Sequence, residues 1–268
     1  MKKPIICFDL DGTLLDAQER IHPKDKEILT SNHHNHNVIF LPCTGRPRMS
    51  VISMFHHNGL FLDNNIPFAM VTQNGAAAHF ADGSLTQYIY FPEEVQQTLF
   101  KIFEDYPQAS FMLMKEDGNF LLWPNEFSSH WMSRFHAPWQ TFTPRDRQAR
   151  FGKMTCLTDD ESILKELADR LSDVPVEYGR SLKTVFDIQP KGISKRTGVE
   201  CLIHHLGLEG SPVITAGDGE NDLELFEFAD YAFAPSTTSA QIQQKANQII
   251  HTQDDGLLTV MLEKAARL

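Results

Sequence analysis

The chain of 268 residues is short of cysteine, short of positive charge and without any long apolar run. Each shortage narrows what it can be. A membrane-crossing helix needs about 20 consecutive, mostly apolar residues, and no stretch approaches that. The apolar run behind the first lysines, PIICF, is also too short for a secretory signal, so a soluble, cytoplasmic protein is expected. Lysine and arginine number 24 against 35 aspartates and glutamates, a net charge of −11. That balance argues against a general nucleic-acid binder, which presents basic surface to phosphates, but leaves room for a local basic pocket that holds a small anion. The four cysteines (Cys7, Cys43, Cys156 and Cys201) are far apart and form no CxxC pair. Cys7 and Cys43 lie inside apolar runs and read as buried free thiols rather than a disulfide. There is no internal repeat and no low-complexity tract.

What is present is an ordinary globular composition, 41% hydrophobic and 22% charged, at a length that suits one or two domains. Continuous apolar runs recur: IICF (5–8), VIFLPC (38–43), FAMV (68–71) and PVITA (212–216). Helical patterns lie between them, such as HPKDKEILTSNHH (22–34) and SKRTGVECLIHHLGL (194–208). Apolar strands alternating with helices predict a doubly wound parallel sheet covered on both faces. Such a sheet places its chemistry beyond the carboxyl ends of its strands. The middle of the chain differs. From about residue 80 to 188, LTQYIYF, ASFMLMK and NFLLWP read as strands, and PEEVQQTLFKIFEDY and DDESILKELADRLSD as helices. Asp82-Gly83 and Asp117-Gly118 are hairpin turn signals. The expectation is an inserted α+β domain over 80–188, with the parallel-sheet domain formed by 1–79 and 189–268.

Four segments stand out for chemistry. CFDLDGTLLD (7–16) sets Asp9 and Asp11 two apart directly after an apolar strand. Aspartate is depleted in strands and costly when buried unpaired, so this is either an acidic turn or a site for a hard cation such as Mg²⁺. Gly12 permits the turn, and Thr13 offers a hydroxyl and an N–H to an anion. PCTGRP (42–47) follows the next strand and reads equally as an anion-binding turn or a plain connection. In KGISKRTGVECL (191–202), Ser194 reads as a helix N-cap, which puts Lys195 in the first turn, against the helix dipole. A neighbouring phosphate would explain that cation; a solvated lysine is the plainer alternative. ITAGDGEND (214–222) packs Asp218, Glu220 and Asp222 into five residues, which repel unless a cation or water relieves them. The histidines of the HHNH stretch (His33, His34, His36) and of HHNG (His56, His57) occupy polar helix ends. They read as surface rather than as metal ligands.

DLDGT (9–13), TGR (44–46), Lys195 and GDGEND (217–222), in this order, resemble the haloacid dehalogenase (HAD) superfamily of phosphohydrolases, and within it the Cof-like sugar phosphatases. NGA (74–76) is a softer match. The resemblance spans essentially the whole chain. It implies a Rossmann-like core, a C2-type cap over 80–188 that selects the substrate, and Mg²⁺ as cofactor. It also implies Asp9 as nucleophile, Asp11 as general acid and then base, and Lys195 as the neutralising cation. Phosphate binding would fall to Leu10, Thr13, Thr44, Gly45, Arg46, Lys195 and Asn221. Metal binding would fall to Asp9, Asp11 (through its main-chain carbonyl), Asp218 and Asp222. The implied activity is a phosphatase acting on small phosphorylated metabolites, sugar phosphates foremost, as a monomer or dimer with neither nucleic acid nor membrane as partner. A phosphomutase or phosphotransferase uses the same aspartate pair, and a non-catalytic phosphosugar-binding module is a third reading. Two departures from the family pattern are AFAPSTTSAQ (232–241), where a Met-x-Asn-Ala stretch is usual, and Arg196, where glycine usually follows the lysine. Arg46, Arg48, Lys115, Arg180 and Lys183 are candidates for substrate recognition, or plain surface charges.

Overall fold

The computed structural model describes residues 2–31, 37–116, 118–134 and 138–268. The first part of the chain forms β1 (Ile5–Phe8), α1 (Pro23–Ser31), β2 (Ile39–Pro42), α2 (Arg48–His57), β3 (Met70–Thr72), β4 (Ala77–His79) and β5 (Leu85–Tyr88). The middle forms α3 (Glu93–Phe103), β6 (Ser110–Lys115), β7 (Gly118–Leu122), α4 (Glu126–Arg134), β8 (Trp139–Thr141), β9 (Lys153–Leu157), α5 (Glu161–Leu171), β10 (Val176–Leu182) and β11 (Val185–Pro190). The last part forms α6 (Lys195–His205), β12 (Val213–Ala216), α7 (Leu223–Phe228), β13 (Tyr231–Pro235), α8 (Ala240–Gln243), β14 (Gln248–Ile250), α9 (Thr252–Asp255) and α10 (Leu257–Ala265).

Five strands make a fully parallel sheet in the order β14-β13-β12-β1-β2. Its central strands β1 and β12 are buried throughout and apolar except at Thr215, because both faces are covered. Ile6 and Phe8 pack with Phe40, Ile214 and residues of α2 and α10 on one side. Ile5 and Cys7 pack with Leu41, Val213 and residues of α6 on the other. This is the doubly wound α/β core that the sequence pattern predicts. FAMV takes a different place: β3 pairs antiparallel with β4, and β4 with β5, in a separate three-stranded sheet. A single parallel bridge, Cys43 to Val71, ties that sheet to the end of β2. Asp82-Gly83 forms the β4–β5 turn, with Gly83 at φ +86°.

The middle segment builds a six-stranded sheet, β10-β11-β9-β6-β7-β8, antiparallel except for the β7–β8 pair. Period-two alternation gives it two unlike faces. Phe111, Leu113, Met154, Cys156, Phe186 and Ile188 point into an aromatic core under α3 and α5. Within that core, the rings of Phe103 and Phe111 stack at 3.9 Å. The intervening residues face the parallel sheet and include Met112, Met114, Lys153, Thr155 and Asp187. Strands β6 and β7 and helices α3 and α5 lie where the sequence pattern puts them; β8 to β11 and α4 are not among the expected elements. His33, His34 and His36 lie outside the described residues, and so does Asp117.

His79 of β4 is buried, with Thr72 Oγ1 3.1 Å from its Nε2. Burial, with the Arg48 guanidinium second, pushes its pKa down to about 4. Between about pH 6.5 and 4 the unfolded chain therefore binds a proton that the folded chain refuses. Stability is unaffected by this group above that window and falls as pH drops through it. The cost at pH 5 is about 2 kcal/mol. In thermal melts at pH 7 and pH 5, His79→Gln should show a smaller pH-dependent drop than the parent; equal drops would remove the assignment.

Candidate active site

Three of the four motif segments start from one level of the parallel sheet. Phe8, at the end of β1, is in register with Ala216 of β12 and with Pro42 of β2. Asp9, Thr44 and Asp218 therefore emerge side by side at the carboxyl ends of adjacent strands. Asp9 N still bonds to Ala216 O at 3.0 Å, after which the chain leaves the strand and Thr13 N closes a turn on Leu10 O. Gly12 has φ +78°, and a Cβ there would stand 2.2 Å from Asp218 Oδ2. Only glycine suits this spot, on backbone angle and on space.

Lys195 reaches the same point from the other direction. Ser194 caps α6 by accepting from Thr197 N, which makes Lys195 the first helical residue. Its side chain is 1% exposed, and its Nζ donates to Asp9 Oδ1 at 2.6 Å and Asp222 Oδ1 at 2.8 Å. Burial alone would lower the pKa of this ammonium, but Asp222 and Asp9 outweigh it and hold it raised. Asp222 is fixed from its other oxygen, Oδ2, by the N–H groups of Asp218 and Gly219, each at 3.1 Å. Thr238, in the APSTT stretch that departs from the family pattern, donates its hydroxyl to the Asp218 carbonyl at 2.5 Å. That stretch therefore braces the acidic loop.

Oxygens of Asp9, Asp218 and Asp222 lie within 4.8 Å of one another, and this is the only such His/Cys/Asp/Glu group among the described residues. One lysine does not balance three carboxylates. Burial, with Asp222, Asp218 and Asp11 nearby, drives the Asp9 carboxyl well up despite Lys195. Burial and Asp222 push Asp218 up to about 7. A hard divalent cation between them would offset that repulsion, and an all-oxygen donor set is what such a cation takes. The residues thus fit a divalent metal.

The other candidate residues divide. Thr13 is buried and donates to Asp218 Oδ1 at 3.4 Å. Thr44 Oγ1 accepts from Arg46 N at 3.1 Å. The Leu10 side chain sits in the apolar core, so only its backbone can serve an anion. Arg46 is 4% exposed and engages both oxygens of Asp11, through Nε at 2.7 Å and Nη2 at 2.5 Å. Asn221 donates to Asn74 Oδ1 at 3.1 Å. Asn74 Nδ2 in turn donates to Asp187 Oδ2 at 2.9 Å. Gln73 and Asn74 both hold positive φ, 53° and 54°, to aim that side chain. Arg48, Lys115, Arg180 and Lys183 do not line the cavity that holds Asp9 and Asp11; Lys183 is on the surface beside Glu161.

Sequence reasoning passed over Lys153, Thr155 and Asp187. Lys153 is 2% exposed and its Nζ reaches Asp187 Oδ2 at 2.8 Å and the Gly45 carbonyl at 3.0 Å. Thr155 Oγ1 donates to Asp187 Oδ1 at 2.8 Å. The cue was available in VFDIQP (185–190), where an aspartate interrupts an apolar strand just as Asp9 ends one.

Acids, a buried lysine and a threonine turn thus meet at the carboxyl ends of a doubly wound sheet, facing a second sheet. The sequence matches the haloacid dehalogenase-like hydrolase family over residues 6–261, and the chain belongs to that family. It is 25% identical over 273 residues to the 5-amino-6-(5-phospho-D-ribitylamino)uracil phosphatase YitU of Bacillus subtilis, covering 98% of this chain and 97% of that protein. It is 34% identical over 97 residues to a bifunctional phosphatase/peptidyl-prolyl cis-trans isomerase of Streptococcus pyogenes, but spans only 21% of that protein and 34% of itself there. The solved structure of a HAD subclass IIB sugar phosphatase superposes with a TM-score of 0.83 at 21% identity, covering 99% of this chain and all of that one.

Proposed function

We propose that this HAD-type phosphatase is a Mg²⁺-dependent phosphomonoesterase of small phosphorylated metabolites, sugar phosphates foremost, working through an aspartyl-phosphate. The observation that carries the reading is the buried Lys195 bridge between Asp9 and Asp222, with Asp9, Asp11 and Asp218 lining one cavity. Asp9 attacks phosphorus, and the ester oxygen leaves with a proton from Asp11. Water then cleaves the acyl phosphate while Asp11 takes up its proton, so one difficult displacement becomes two easier ones. Lys195 neutralises charge on the transferring group, and backbone N–H groups of the DLDGT and TGR turns, with the Thr44 hydroxyl, bind its oxygens. Asp9 and Asp218, with Asp222 alongside and the Asp11 carbonyl, would hold Mg²⁺, which supplies further charge neutralisation when bound. Arg46 occupies both oxygens of Asp11, so the proton shuttle requires that pair to part. The six-stranded sheet and its helices, within residues 80–188, serve as the cap, and its separation from the core sheet would admit substrate and release product; β5 (Leu85–Tyr88), expected in that insertion, instead pairs with β4. The four free cysteines accord with a reducing, cytoplasmic setting.

The test is phosphate release from a panel of phosphorylated metabolites. Stoichiometric inorganic phosphate with Mg²⁺ present is the expected result. Isomerised or transferred phosphoester without free phosphate would instead make the chain a mutase or phosphotransferase. No turnover of any ester would favour a binding module.

A further inference from the structure

The face of the six-stranded sheet turned toward the parallel sheet is not uniform. Strand register sets Asp187 opposite Thr155 and Thr155 opposite Met112, and Lys153 opposite Met114. The face therefore carries a polar column from β9 and β11 beside a methionine column from β6. Helix α4 adds Trp131 and Met132 beyond the methionines, and all of these residues line the cavity that holds Asp9 and Asp11. Met112, Met114 and Met132 are each at most 3% exposed, so the wall is dry. Lys153 has three N–H protons, and Asp187 and the Gly45 carbonyl take two of them.

This division selects a leaving group. A bare sugar or polyol carries hydroxyls all round, and a hydroxyl pressed on an apolar wall loses its hydrogen bonds at a cost. A flat heteroaromatic ring has apolar faces and a polar edge. Thioether and indole groups make favourable contacts with aromatic rings, and Lys153, Thr155 and Asp187 offer donors and acceptors to the polar edge. Resting on the phosphomonoesterase reading, and narrowing its sugar phosphates to those whose sugar or polyol bears a ring, we propose that the preferred substrate carries a heteroaromatic ring on its leaving group. The ring's face lies on the Met112, Met114 and Trp131 wall and its edge meets the polar column. Residues 112, 114, 131 and 153 would then set specificity without touching phosphorus.

Two matched pairs test this on the full chain with Mg²⁺: uridine 5′-phosphate against ribose 5-phosphate, and riboflavin 5′-phosphate against ribitol 5-phosphate. Each pair differs only in the ring. In at least one pair kcat/KM should favour the ring-bearing ester by about tenfold or more, the scale of one buried apolar group. Trp131→Ala should narrow that ratio at least about threefold, and Met112→Gln serves if the tryptophan variant does not fold. Equal or better turnover of the ring-free ester in both pairs overturns the proposal while leaving the phosphatase intact. An unchanged ratio in the variants overturns the assigned wall. Phosphate release from none of the four esters nor from p-nitrophenyl phosphate would instead remove the phosphomonoesterase reading itself.

Discussion

Asp9→Asn should abolish phosphate release, by about 10⁴-fold or more in kcat, while the protein folds at least as well as before. The first half follows from losing the proposed nucleophile: an amide oxygen forms no stable phosphoryl intermediate. The second half follows from the electrostatics of the cluster. In the metal-free protein, burial and three neighbouring carboxylates oppose the ionised form of Asp9. A neutral residue of the same shape removes that repulsion, and its oxygen can still accept from Lys195. The measurement is steady-state turnover of p-nitrophenyl phosphate alongside a thermal melt. Turnover within tenfold of the parent would sink the nucleophile assignment. A melting temperature several degrees lower would mean that Asp9 is chiefly structural.

Chelation has the next largest expected effect. EDTA should bring activity to background, a loss of at least about 10³-fold, and added Mg²⁺ should restore it. Binding should also be visible without any substrate. A ligand that binds only the folded chain stabilises it by about 2.7 kcal/mol at a hundred times its dissociation constant, which should raise the melting temperature by several degrees. Asp218→Asn should weaken both responses, because Asp218 is one of the three carboxylates drawn together there. Full activity in EDTA, or a melt indifferent to Mg²⁺ in the parent, would refute the cation site.

The reactive half of the site was legible because its residues break local rules. Aspartates at a strand end, a lysine at a helix start and three acids in five residues are each unfavourable alone, and each anomaly marked a segment that converges on Asp9. The sheet class was equally legible, since strands covered on both faces read as near-continuous apolar runs. FAMV shows the limit: an apolar run does not say which sheet it joins, and β3 pairs with β4 outside the parallel sheet.

What the chain order could not convey is which side chains share a face. Lys153 and Asp187 are 34 positions apart in sequence, and nothing local pairs them; antiparallel pairing of β9 with β11 does. Arg46 and Asp11 likewise meet only because β1 and β2 are neighbours. The fold class, the two aspartates, the lysine and the acidic loop are legible in the chain order alone, because apolar runs, strain and charge are local properties. That Arg46 holds Asp11, that Thr238 braces Asp218 and that a methionine wall stands beside a polar column emerge only in the folded chain. Those depend on strand register, which links residues remote in the chain through contacts that no single segment encodes.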